Sequence, residues 1–335
     1  MKSPGIGMAI VGSGSAIPET TLTNDQLSHM VETSDEWIRT RTGIQERHLN
    51  VPGDTLSELA AKAGRRAMAM ARLNPHDLDL IILATSTPDD LFGSAAQVQA
   101  HLDAPQAAAF DLTAACSGFV FGLVTAAQFI RTGVYRNILL IGADVLSRWV
   151  DWSDRTTCVL FGDGAGAVVL EASPDQDDLL GFSLQTDGSL NPHLNLDFRG
   201  WGQTLTEQIN ADFGNFKTIT MNGREVYRFA VAQVPKVILK TLKESDRTVD
   251  DIDWLILHQA NQRIMAAVAE RLELPPEKVI SNVAHYGNTS AASIPLALDE
   301  AVRAGQIQPG QTVVISGFGA GLSWGAALWR WRGAG

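Results

Sequence analysis

Two rhythms of apolar residues run along the chain. Short apolar runs alternate with longer stretches in which apolar residues recur at helical spacing. Residues 80–85 form an apolar strand between Asp79 and Pro88, the pattern of a parallel strand covered on both faces. Residues 8–13 read as another short strand, followed by a glycine-rich turn and Pro18. Gly12-Ser13-Gly14 hints at a dinucleotide-binding turn, but no third glycine follows and Pro18 falls inside the expected helix, so it is read as a strand exit. Thr23-Asn24-Asp25 caps a helix to about Val31, and Thr33-Ser34-Asp35 caps a segment carrying Trp37, Arg39 and Arg41. Asp54-Thr55 caps a helix over 56–73, whose alanines and methionines at helical spacing are core. A short helix is expected at 94–102. A strand at 107–112 should run into a helix at 117–131, with further strands at 137–142 and 165–170.

The pattern then repeats. The run from Asp77 to Leu83 returns 174 residues later from Asp251 to Leu257, each preceded by a long helical stretch, at 56–73 and at 223–245. Residues 137–142 are echoed by 312–317, and 164–170 by 323–329. The same element order at nearly half the chain length implies a duplicated α/β unit with mostly parallel sheets. The polar, glycine- and asparagine-rich connection at 173–216 holds the boundary, giving one half at 1–172 and a second at 173–335. Equivalent points of the halves should face each other across a pseudo-twofold axis, with the point equivalent to Cys116 near Asn288, 172 residues on. Ligands in α/β folds sit at strand C-termini, so Cys116, His258 and Asn288 are expected to open into one cleft.

Composition narrows the class. The chain has 335 residues, 45% hydrophobic and 19% charged, enough for a sizeable core. A net charge of −11 argues against nucleic acid as a general partner. Two cysteines, Cys116 and Cys158, without metal-binding spacing point to a reducing compartment and no metal cluster. Residues 1–7 show no leader pattern, and no apolar run reaches the ~20 residues of a membrane helix, so a cytoplasmic protein off the membrane is expected.

Cys116 stands where a strand gives way to a helix, among Ala114, Ala115, Ser117 and Gly118. Unpaired N–H groups at a helix start favour a thiolate, the nucleophilic form, although a lone cysteine among alanines also fits plain packing. His258 follows an apolar strand, and Asn288 lies in Gly287-Asn288-Thr289-Ser290, which by itself reads as a cap. Three polar groups at three strand ends point jointly to a site.

At these residues the chain resembles the β-ketoacyl-acyl carrier protein synthase III family, of the thiolase fold. The motifs are residues 33–43, the Cys116 segment, 161–166, His258-Gln259-Ala260-Asn261, 287–293 and 318–325, spread over nearly the whole length. The resemblance implies an α/β/α/β/α layered fold and an acyltransferase of fatty acid biosynthesis. Cys116 takes an acyl group from an acyl-CoA, with backbone N–H groups of Cys116 and Ala320 as oxyanion hole. Malonyl-acyl carrier protein then loses carbon dioxide, His258 and Asn288 donating to the enolate, and the carbanion attacks the acyl-cysteine. No metal or organic cofactor is implied, CoA thioester being a substrate. Trp37 and Arg155 should sandwich the adenine of CoA, Arg41 and Thr42 should touch its phosphate and adenine, and Gly223, Asn261 and Phe318 should line the pantetheine tunnel. Phe92, Leu146 and Phe161 resemble acyl-pocket residues, Phe92 the one a homodimer partner inserts. Arg263 and Arg271, eight residues apart, together with Arg228 and Gln259, are candidates for docking the acidic carrier protein.

The chain departs from the family pattern at Tyr227, at Trp149 and Trp152, and over 191–216. Three rivals remain: a secondary-metabolism condensing enzyme or acyltransferase with another acceptor, a hydrolase pairing Cys116 with His258, and a non-catalytic CoA- or carrier-binding module. The complete Cys, His and Asn set favours the first of these over the other two.

Overall fold

The apolar run at 80–84 becomes a strand because both of its faces are covered, and every residue in it is buried. In the computed structural model, residues 6–333 are described; residues 1–5, part of the stretch read for a leader, and residues 334–335 lie outside them. Strands β1 (Gly7–Ala16), β2 (Leu80–Ala84), β3 (Ala108–Leu112), β4 (Asn137–Val145) and β5 (Asp163–Ser173) form a sheet in the order β1-β5-β4-β2-β3. Strands β6 (Leu179–Thr186), β7 (Trp254–Leu257), β8 (Val279–Ile280), β9 (Thr312–Gly319) and β10 (Ser323–Arg330) form a second in the order β6-β10-β9-β7-β8.

The two orders are one order repeated, and so is the pairing. The pairs β4–β2, β2–β3, β9–β7 and β7–β8 are parallel. The pairs β1–β5, β5–β4, β6–β10 and β10–β9 are antiparallel. Parallel character is thus confined to one side of each sheet. A parallel pair needs a crossover, usually a helix, and β4 passes to β5, like β9 to β10, with no α-helix between them.

Helices complete five layers. Helices α1 (Leu56–Ala71) and α2 (Ala95–Leu102) cover the outer face of the first sheet through Leu59, Ala63, Ala67 and Val98. Helices α4 (Gly223–Glu244) and α5 (Gln262–Arg271) cover the outer face of the second through Val234, Ile238, Ile264 and Val268. Between the sheets lie α3 (Gly118–Arg131) and α6 (Ser293–Arg303), whose Phe119, Leu123, Ile130, Ile294 and Leu298 pack with Ile82 and Leu140 of one sheet and Ile256 and Ile315 of the other. Each such fully buried side chain contributes about 1.5–3 kcal/mol.

Local differences from expectation have physical causes. Gly12 and Gly14 lie inside β1, not in a turn. A Cβ on Gly14 would come 2.3 Å from the Ala67 nitrogen, so glycine here lets α1 press onto the strand. Helix α1 stops at Ala71, where Arg72 takes a left-handed cap (φ 54°). The helix capped at Thr23 is only Asn24–Ser28. Part of the connection read as polar and irregular is a hairpin, Phe198–Thr206 against Ile209–Phe216, with Phe198, Trp201, Leu205, Ile209, Phe213 and Phe216 exposed. Among the described residues no helix is long and apolar enough to cross a membrane.

Candidate active site

β3 ends at Leu112, and the chain turns through a 3-10 segment, Ala115–Ser117, before α3 begins. Ala115 takes φ 47°, a left-handed conformation that L side chains rarely adopt. Cys116 follows at the floor of a cavity of about 1360 Å³. In the second half the chain makes the same turn at Ser290–Ala292, led by Ser290 at φ 51°, and enters α6. By this match the point equivalent to Cys116 is Ala291, three residues beyond Asn288.

His258 leaves β7 with its amide donating to the Ser316 carbonyl (2.8 Å), and Asn288 is held by backbone bonds to Leu160 and Gly162. Cys116, His258 and Asn288 all line the one cavity, each less than 9% exposed. The Ser293 hydroxyl accepts from the Gln259 amide (3.3 Å) and lies 2.7 Å from His258 Nδ1. Its own proton is free for Nδ1, which leaves the ring proton on Nε2. Burial pushes the imidazole down to about 3, so the ring is neutral in ordinary buffers. Asn288 Oδ1 accepts from the Ser290 amide (2.9 Å), and the amide NH2 remains to donate.

The strand carrying Phe318 approaches Cys116 closely. A Cβ on Gly319 would stand 2.6 Å from the Cys116 nitrogen, so only glycine admits the β9 backbone here, and Ala320 follows at the cavity wall. Phe318 packs edge-on to the His258 ring, 5.4 Å between centroids. The expected thiolate is not the resting form. Burial pushes the Cys116 thiol up to about 12, outweighing the pull of the helix start. The Ser290 hydroxyl donates to Sγ at 3.3 Å.

The cavity also takes in Leu146 and Phe161, Gly223 and Asn261, Arg41 and Arg263, and the wholly exposed Phe92. Asn261 caps α5, its side chain accepting from the Arg263 amide (2.8 Å) and donating to the Arg41 carbonyl (3.0 Å). Arg41 and Arg155 lie 5.0 and 5.3 Å from the Trp37 ring centre. Arg155 therefore rests on Trp37 directly, without the gap a purine would fill. Thr42 is buried with its hydroxyl bonded to Ile38 O and Ile44 N, which removes its side chain from any CoA contact.

Of the docking candidates, Gln259 is fully buried, its amide bonded to Leu257, Ile280 and Asn282, and so cannot meet a carrier protein. Arg271 is exposed, and its guanidinium donates to the Val231 carbonyl on α4. Arg228 is exposed but paired with Glu225 (3.0 Å), and Arg263 lies over Tyr227 at the cavity edge. Three residues that hold the site went unread in the sequence: Ser290 and Ser293, in a motif that also reads as a cap, and Asp144, two residues past the point where its strand was ended.

Comparison with known proteins converges on one family. A family model described as 3-Oxoacyl-[acyl-carrier-protein (ACP)] synthase III matches residues 110–188, and one for the C terminal of that synthase matches residues 242–331. The β-ketoacyl-[acyl-carrier-protein] synthase III of Acaryochloris marina is 64% identical over 332 residues, 99% of this chain and 100% of the relative. The crystal structure of 3-oxoacyl-[acyl-carrier-protein] synthase III from Aquifex aeolicus superposes with a TM-score of 0.90 at 44% identity, covering 97% of this chain and 100% of that one. A priming β-ketosynthase from a polyketide biosynthetic pathway superposes with a TM-score of 0.88 at 31% identity, covering 99% and 98%.

Proposed function

The chain belongs to the 3-oxoacyl-[acyl-carrier-protein] synthase III family, and from that membership we infer that its cleft carries out the condensation that starts fatty acid synthesis. An acyl-CoA primer, with acetyl-CoA the first choice, and malonyl-acyl carrier protein are the substrates, and 3-oxoacyl-acyl carrier protein is the product. The observation that carries the mechanism is the meeting of Cys116, His258 and Asn288 in one buried cavity.

In this reading Cys116 Sγ attacks the thioester carbonyl and CoA leaves, giving an acyl-enzyme. The N–H groups of Cys116 and Ala320 bind the oxyanion, which Gly319 favours by bringing the two backbones together. Malonyl-acyl carrier protein then enters. As its carboxylate leaves as carbon dioxide, charge gathers on the thioester oxygen, where His258 Nε2–H and the Asn288 NH2 donate. Both donors are neutral, so neither needs to be recharged between turnovers. The carbanion attacks the acyl-Cys116 carbonyl and the lengthened chain departs on the carrier. The steps call for no metal or organic cofactor.

Trp37, Arg41 and Arg155 are assigned to the nucleotide end of CoA, with Arg155 swinging off Trp37 to admit the adenine. Gly223, Asn261 and Phe318 are assigned to the pantetheine passage, Leu146 and Phe161 to the acyl pocket, and Arg263 with Arg228 to the carrier protein. The enzyme is taken as a cytoplasmic homodimer with its halves divided near 172/173. Support for the dimer is the exposed Phe92 at the cavity rim and the unpaired edge strand β3, where Phe110 is exposed.

The test is intact-mass measurement after incubation with a panel of acyl-CoAs. The chain should gain the mass of one acyl group, acetyl most readily, and Cys116→Ala should gain none. Acyl uptake by Cys116→Ala would remove the nucleophile from this reading.

A further inference from the structure

The arginines around the cavity differ in how they are held. Arg228 is paired with Glu225, Arg271 is bonded to the Val231 carbonyl, and Arg41 and Arg155 both rest on Trp37. Arg263 is held in another way. It is exposed, and among the described residues no acidic side chain pairs with it. Its guanidinium lies 5.8 Å from the centre of the Tyr227 ring, and both side chains line the cavity. Arg224 lines the cavity too, but among the described residues it stands over no ring. Tyr227 is a position at which the chain departs from the family pattern, and the condensation steps leave it without a task.

The two residues come from different helices. Tyr227 lies one turn after Gly223 at the start of α4, so both face the cavity, with Val226 beside them. The ring is half-buried, packed against the core that α4 shares with α5. Arg263 is the second residue of α5. Its amide donates to the Asn261 side chain (2.8 Å), which itself donates to the Arg41 carbonyl (3.0 Å). The arginine is thus pinned twice, its backbone by the helix cap and its head by the ring. A guanidinium held over a ring face keeps its in-plane N–H groups free, and those are the groups that meet a carboxylate. A long exposed side chain otherwise loses rotamer freedom when it docks, and confining it beforehand lowers that loss.

Accepting malonyl-acyl carrier protein as the second substrate, we propose that Tyr227 is a positioning residue for it: the ring holds the Arg263 guanidinium at the cavity mouth, ready for a carboxylate on the acidic surface of the carrier protein. The carrier must seat its body at this mouth for its arm to reach Cys116. Arg263 lines that mouth, and opposite charge favours the encounter. The group it meets belongs to the carrier body rather than to the phosphate of the pantetheine arm, which CoA carries as well. Attraction between an exposed arginine and a ring is worth about a two- to fivefold change in affinity, which sets the size of the effect.

The experiment is a double-mutant cycle of Tyr227→Leu and Arg263→Ala, read as KM for malonyl-acyl carrier protein and, separately, for acetyl-CoA. With Arg263 present, Tyr227→Leu should raise KM for the carrier substrate about two- to fivefold, with kcat little changed. With Arg263→Ala in place, the same substitution should add almost nothing. Tyr227→Phe keeps the ring and should keep the parent KM. Should the leucine variant not fold, Tyr227→Met removes the ring, retains the bulk and completes the cycle. An equal rise in both backgrounds would make Tyr227 a wall of the passage and overturn the proposal. So would a Tyr227→Phe as impaired as Tyr227→Leu, which would assign the effect to the hydroxyl. So would a coupling of the same size for acetyl-CoA, which would assign it to the phosphate of the arm. The carrier reading fails separately, if the parent takes up acetyl groups but does not condense them with malonyl-acyl carrier protein.

Discussion

Ala115–Ser117 and Ser290–Ala292 are one turn built twice. Each opens on a non-glycine residue in the left-handed region, at φ 47° and 51°, and each feeds a helix of the central layer. Such backbone costs of the order of 1–3 kcal/mol and persists only where the surroundings enforce it. The side chains then part ways. In the first half the second position of the turn is Cys116; in the second it is Ala291, which offers only its amide, to Asp144. The second half places its chemistry around the turn instead, on Asn288, Ser290 and Ser293, with His258 arriving from β7. Duplication supplied two elbows aimed at one cavity. In the proposed mechanism only one carries the nucleophile, and the other is the frame that positions donors around it.

This comparison assigns acyl transfer to the first turn and decarboxylation to the second, and substitutions can break that assignment. The largest effect is expected from Asn288→Ala. Acylation of Cys116 should persist, while decarboxylation of malonyl-acyl carrier protein falls about 10²–10³-fold, the loss typical of one such donor. Carbon dioxide release and intact mass measure the two separately, and a fall in both would join the turns into one machine.

His258 sharpens the picture through stability. Burial lowers its ring from 6.5 to about 3. Between those values the unfolded chain binds a proton that the folded chain refuses, so stability is full above pH 6.5 and falls as the pH drops. This group contributes a slope of about 1.4 kcal/mol per pH unit. Urea denaturation of His258→Asn from pH 7 to 4 should show a shallower decline than the parent, and equal slopes would mean a ring that titrates normally.

The smallest effect is expected at the rim. Arg263→Glu should raise KM for malonyl-acyl carrier protein about three- to tenfold and that for acetyl-CoA less. Steady-state kinetics with each substrate varied in turn separate the two, and equal changes would assign Arg263 to the shared passage rather than to the second half-reaction.

Much of this arrangement was legible from local pattern. The echo of 77–83 in 251–257 is a repeated burial environment, and it revealed the doubled unit because both strands are covered on both faces. His258 could be named because it ends a strand and Cys116 because it lies in the turn after one, whereas Asn288, expected at a strand end, follows a short helix, Val283–Tyr286. The antiparallel placing of β5 and β10 could not be read, since it depends on which connections lack a helix. Gln259 looked available because a sequence does not show that its side-chain amide is spent on Leu257 and Ile280. Asp144 and Ser290 escaped notice for a related reason. Ala291, which bonds Asp144, lies 147 residues from it and Cys116 lies 174 from Ser290, and only folding brings them together.

The helices α3 and α6 lie between the two sheets and belong to neither alone. Cutting the chain near 173 would leave each fragment with a helix and a sheet face stripped of their greasy complement, so neither piece would be a self-sufficient folding unit. Whatever ancestor was copied, its descendants have merged their interiors, and each substitution at that seam must now be tolerated by both.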